Sequence, residues 1–128
     1  MKKTVSTGFV NFNVTVDICN TKNMIEAGYI SNDIKVMGLC RRNDLLDYIL
    51  VFNSDYNITK EIILHEVYHL FFEVLNDIGR NDTYSAEEIG KDLYCYMFVD
   101  MFSKAMRIVR KELKIRRKKH GKIGRRIF

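Results

Sequence analysis

The chain has no proline and no tryptophan, only three cysteines and three histidines in 128 residues, and no long apolar run. Nothing in it approaches the roughly 18 apolar residues that a bilayer-spanning helix needs, so no membrane span is expected. Cys19, Cys40 and Cys95 are odd in number, far apart and without a C-x-x-C pair. That argues against a disulfide framework or a thiolate zinc site and makes a reducing cytoplasm the expected compartment. Each cysteine reads as a small buried hydrophobe. Met1-Lys2-Lys3 opens like the basic start of a signal peptide. Beyond Lys3, apolar and polar residues alternate where an apolar core would stand, so secretion is not expected.

Hydrophobic residues make up 47% of the chain and charged residues 29%, a balance that argues against wholesale disorder at a length suited to one domain. The net charge of +5 conceals an asymmetry. Residues 1–103 carry 9 basic and 15 acidic side chains, whereas residues 104–128 carry 12 basic and 1 acidic. The sequence therefore divides into a mildly acidic domain, 1–103, and a strongly basic helical extension or tail, 104–128. No internal repeat is present.

Val10, Phe12, Val14, Val16 and Ile18 alternate with Asn11, Asn13, Thr15 and Asp17, the period-two pattern of a half-buried strand. Asn20 to Ala27 suggests one or two helical turns closed by Gly28. The apolar runs Ile34–Cys40 and Leu45–Phe52 flank the polar, turn-prone Arg41-Arg42-Asn43-Asp44, which predicts a β-hairpin turning there. A helix capped by Asn57 or Thr59 comes next, with Ile62, Ile63, Leu70, Phe71, Val74, Leu75 and Ile78 as its apolar positions and Gly79 as its terminator. Ser85-Ala86-Glu87-Glu88 fits an S-x-x-E capping box opening a second long helix. The expected fold is α+β: a small, mostly antiparallel N-terminal sheet packed on the first helix and on a second, long C-terminal helix.

Inside the first helix stands His65-Glu66-Val67-Tyr68-His69, an H-E-x-x-H pattern that uses two of the three histidines. Residues four apart share a helix face, so both imidazoles can reach one ion. Neutral imidazole suits Zn²⁺. Glu66 would stand beside the metal, placed to take a proton from a metal-activated water and pass it to a leaving amine. The third histidine, His120, lies in the basic tail, and Leu75 stands where a metzincin would place a third ligating histidine. The remaining ligand should therefore be a carboxylate. After His69 come 18 residues, then Glu88 and, one turn later, Asp92, giving H-E-x-x-H…E-x-x-x-D.

This pattern resembles the gluzincin metallopeptidases, in which an HExxH helix is joined by a glutamate ligand on a second helix. The resemblance implies His65, His69 and Glu88 as zinc ligands, Glu66 as the catalytic base and Asp92 as the hydrogen-bond partner of a ligating histidine. The small size is also similar to the compact zincin-like proteins of phages and mobile elements, the ImmA/IrrE type among them. There an acidic ligand precedes a stretch like Leu93-Tyr94-Cys95-Tyr96-Met97, which would make Asp92 the ligand instead. The resemblance covers roughly residues 45–103, and a strand at Tyr48–Phe52 before the HExxH helix belongs to it. Other roles are open to the same residues. Glu88 can bond the Ser85 amide as part of the capping box, and Glu87 suits a first helical turn. Glu73, four residues after His69, can approach the metal or form a surface ion pair. Tyr68, Tyr84, Tyr94 and Tyr96 are candidate donors to a developing oxyanion.

The tail carries Arg107, Arg110, Lys111, Lys114, Arg116, Arg117, Lys118 and Lys119, an electrostatic footprint for nucleic acid or a solvated cationic face. Two functions are thus expected. One is a zinc-dependent metallopeptidase acting on a protein or peptide substrate by metal-activated water, with Glu66 as general base. The other is a non-catalytic or regulatory zincin-scaffold protein that binds a partner protein or nucleic acid through the basic tail. A carboxylate at position 66, which a pure scaffold does not need, tilts the reading towards the enzyme.

Overall fold

In the computed structural model, which describes residues 2–6, 10–31, 35–80 and 91–120 (side chains of 2–3, 79–80, 91–94 and 116–120 apart), strands and helices follow a simple order. The chain runs β1 (Lys2–Ser6), β2 (Asn11–Cys19), α1 (Thr21–Glu26), β3 (Gly38–Asp44), β4 (Asp47–Asn53), α2 (Lys60–Arg80) and α3 (Lys91–His120). The sheet order is β1-β2-β4-β3. The β1–β2 and β3–β4 pairs are antiparallel and the central β2–β4 pair is parallel. The architecture is the α+β arrangement that the sequence predicts.

The alternation along β2 places Phe12, Val14, Val16 and Ile18 on one face, where they meet Tyr48, Leu50 and Phe52 of β4. Helices α2 and α3 cover that face with Ile63, Val67, Leu70, Phe71, Val74, Met97, Met101 and Val109. The opposite face carries Ile49 and Val51, which α1 covers through Met24. β4 is therefore buried on both sides, and its run Tyr48-Ile49-Leu50-Val51-Phe52 is apolar throughout because a strand between two layers has no solvent face. Asn20 caps α1, its side chain accepting the Asn23 amide at 2.8 Å, and Gly28 ends the turn at φ +78°.

Three local expectations shift. The hairpin turns at Leu45-Leu46, with Leu46 at φ 54°, and Arg41 to Asp44 are strand residues of β3. Their polarity is that of a sheet edge, and Arg42 spends its charge on Asp77 of α2 at 2.8 Å. Helix α2, capped by Thr59 whose Oγ1 accepts the Ile62 amide at 3.3 Å, runs through Gly79 to Arg80. The capping box at 85–88 lies outside the described residues. Finally, α3 does not leave the body at residue 104. Ala105, Met106, Val109 and Leu113 continue the buried stripe of Met97 and Met101 at helical spacing, so the first half of the basic segment is core on one side. Lys104 donates to the Ser6 carbonyl of β1 and to Asp100. Among the described residues, no helix is long and apolar enough to cross a membrane.

Candidate metal centre

The position of the H-E-x-x-H pattern follows from how α2 is anchored. Ile63, Val67, Leu70, Phe71 and Val74 fix one side of the helix in the core, which turns His65 and His69 outward and leaves Glu66 at the boundary. A second anchor holds the hairpin to the same helix. The buried Asp77 carboxylate accepts from Arg42 Nε, the Leu46 amide and the Tyr48 hydroxyl. Burial alone would raise the Asp77 pKa, but these donors and the Arg42 charge outweigh it and hold the carboxyl below its usual range. Burial, with Asp77 beside it, pushes the Tyr48 phenol well above its ordinary value.

The two imidazoles face each other, His65 Nε2 to His69 Nε2 at 3.2 Å, with ring centroids 4.8 Å apart and planes at 76°. At that distance one ring can donate N–H to the other. It is also the separation that one ion requires: two ligands each about 2.0–2.1 Å from a tetrahedral Zn²⁺ stand about 3.3 Å apart. One donor atom from each of His65, Glu66 and His69 lies within 4.8 Å of the others. The donor set, two neutral imidazoles and a carboxylate, is one that zinc accepts.

Glu66 is 6% exposed and makes no hydrogen bond among the described residues. Burial raises its pKa, while the nearby His65 and His69 pull it back. Gly38 of β3 lies against it: a Cβ there would meet Glu66 Cγ at 3.2 Å, the Val51 carbonyl at 3.2 Å and Phe52 Cδ1 at 3.3 Å. The absent side chain lets the edge strand close over the carboxylate. Lys35 to Gly38 on one side and Glu61, Ile62, His65 and Glu66 on the other line a cleft of about 520 Å³. Asn53 holds that first wall in place. Its Nδ2 donates to the Val36 carbonyl at 2.8 Å and its backbone amide to the Met37 carbonyl at 2.9 Å.

Of the remaining candidates, Glu88, Glu87 and Tyr84 lie outside the described residues. Asp92 belongs to the first turn of α3, and its side chain and that of Tyr94 are likewise outside. Glu73 is half-buried and not part of the His65–Glu66–His69 group. Its charge is felt instead by Cys40, whose thiol is pushed up to about 12 by burial, then by Glu66 and Glu73. Tyr68 is 48% exposed and packs on Phe72 and Phe98, and Tyr96 is 72% exposed. Cys19 and Cys40 are half-buried and pack against the core, near the small buried hydrophobe expected, whereas Cys95 is exposed.

Gly38, Arg42, Asn53 and Asp77 escape the sequence reading. A lone glycine between the apolar pairs Val36-Met37 and Leu39-Cys40 is the one usable signal, since glycine in a strand marks a close approach. No protein-family model, curated protein or solved structure matches the chain.

Proposed function

We propose that the chain is a small zinc-dependent metallopeptidase that hydrolyses a peptide bond in a protein or peptide substrate. The observation that carries this reading is the juxtaposition of the facing His65 and His69 nitrogens with a buried Glu66, which bonds no described residue, at the mouth of a cleft. His65 and His69 would hold the ion, and Glu88 or Asp92 would complete its shell. When bound, zinc supplies Lewis-acid polarisation of the attacking water and of the scissile carbonyl.

The rest of the chemistry belongs to the chain. The Glu66 carboxylate accepts a proton from the attacking water and returns it to the leaving nitrogen. Its burial under Gly38 raises its basicity and excludes bulk water from that side. Lys35 to Gly38 form the wall against which an extended peptide segment rests, and Asn53 keeps that wall rigid.

A scaffold without catalysis has no use for this arrangement. Holding a carboxylate at 6% exposure against Gly38 costs desolvation, and a scaffold would lose nothing by replacing it. Three cysteines scattered along the chain without a C-x-x-C pair suit a reducing cytoplasm, where we place the protein. The deciding experiment is Glu66→Gln on zinc-loaded protein against a peptide library. Hydrolysis should vanish while zinc stays bound, and unchanged cleavage would overturn the reading.

A further inference from the structure

Helix α3 presents a second site, away from the histidines. Arg107, Arg110, Lys111 and Lys114 recur at i, i+3, i+4 and i+7, which sets them in line along one helix face over about 10 Å. Lys60, in the first turn of α2, joins them from another part of the chain. Together they border a groove of about 490 Å³ whose floor includes Phe102 and Met106. All five cations are exposed, and among the described residues no carboxylate lines the groove.

Like charges at i, i+3 and i+4 repel one another. Lys60 also sits at a helix N-terminus, where the aligned peptide dipoles disfavour a cation and favour an anion. A bound polyanion relieves both costs.

We propose that this groove binds the phosphate backbone of duplex nucleic acid, without reading its sequence. The linear order of the cations matches a linear polyanion, since successive phosphates on one strand of a duplex advance about 3.4 Å along the axis. A lipid surface fits less well. A helix that lies in a membrane interface turns bulky apolar residues outward beside its cations. Here Met106 is buried and Phe102 half-buried. Among the described residues no exposed aromatic lines the groove to stack an unpaired base, so a single strand gains nothing there. α3 runs on from the groove to His120 through Arg116, Arg117, Lys118 and Lys119, lengthening the same basic helix. The site shares no residue with the metal centre and does not rest on the peptidase reading.

Lys60 is the discriminating residue, because a basic tail acting alone gives it no role. The test is fluorescence anisotropy of a labelled 20-base-pair duplex of arbitrary sequence against the full chain between 50 and 200 mM NaCl. Binding should weaken with salt at a log–log slope of about −4 or steeper, the five groove cations alone accounting for about four or five phosphates neutralised. Lys60→Gln should lower affinity about threefold and flatten the slope by about one, and Arg107→Gln/Lys111→Gln by about two. EDTA should change nothing. The proposal is overturned if the duplex fails to bind at 50 mM salt, or if Lys60→Gln matches the parent in affinity and slope. Loss of binding in EDTA, or tighter binding to vesicles containing 30% phosphatidylserine at equal anionic charge, would overturn it as well.

Discussion

Gly38 and Glu66 are in contact across the boundary between the sheet edge and the H-E-x-x-H helix, so close that a Cβ on residue 38 would stand 3.2 Å from Glu66 Cγ. Gly38→Ala must therefore move something. Of its near neighbours, the Val51 carbonyl is sheet backbone and the Phe52 ring is fully buried, so the flexible Glu66 side chain yields first. We expect a loss of about 1–2 kcal/mol in urea unfolding. Turnover should fall at least tenfold, because the carboxylate leaves its place over the cleft. Wild-type turnover in Gly38→Ala would mean that Glu66 need not be held there.

Asp77 joins the β3–β4 hairpin to α2, and its contribution is pH-dependent. In the folded protein its carboxyl is held below the ordinary value near 3.9. A depressed folded pKa gives stability that is fully present above about pH 4 and is lost as pH falls through the lower folded value. Acid should thus weaken the wild type progressively below about pH 4. Asp77→Asn should already be less stable at pH 7, by about 3 kcal/mol, because Arg42 loses its counter-charge and one of the two acceptor oxygens becomes an NH₂ that cannot accept from Tyr48 or Arg42. Its stability should also be flatter with pH in that acid range. Urea midpoints at pH 7, 4 and 3 check both statements.

Those two anchors explain why part of the site is legible in the sequence and part is not. β2 and α2 announce themselves because each buries one regular face: Phe12 to Ile18 at period two, Ile63 to Val74 at helical spacing. The H-E-x-x-H pair needs only helical geometry, so it too can be read directly. What escapes is tertiary. Arg41 to Asp44 look like a turn because the partner that uses Arg42 lies 35 residues away. Residues 104–115 look like a tail because cations outnumber the widely spaced Ala105, Val109 and Leu113 that hold them to the core. Lys60 reads as an ordinary helix-start residue until α3 brings four more cations beside it.

Metal content follows from the facing imidazoles. Protein purified without chelator and supplied with zinc should hold about one ion per chain by elemental analysis, and His65→Ala/His69→Ala should hold none. Because the ion would bind the folded chain and not the unfolded one, zinc at a hundredfold excess over its dissociation constant should add about 2.7 kcal/mol. EDTA should remove that increment in a thermal melt of the parent and leave the double variant unmoved. A parent without zinc after reconstitution would reduce the 3.2 Å pair to an imidazole–imidazole hydrogen bond.

In the proposed zinc site the last ligand is Glu88 or Asp92, and metal affinity separates the two. A direct carboxylate ligand contributes a bond and a negative charge, and its removal leaves two neutral imidazoles that hold zinc weakly. A residue that only orients a ligating histidine costs about 10–100-fold in metal affinity when lost. Glu88→Ala and Asp92→Ala should therefore both weaken zinc, by unequal factors, in competition with a chromogenic chelator. The variant with the greater loss identifies the ligand. Glu88→Gln adds an internal control, since a capping-box bond to Ser85, expected from the sequence, would survive an amide while a zinc–carboxylate bond would not. If Glu88→Gln binds zinc like the parent, Glu88 serves the helix start and Asp92 is the ligand. If neither alanine variant loses affinity, the second helix supplies no ligand and the gluzincin-like arrangement fails.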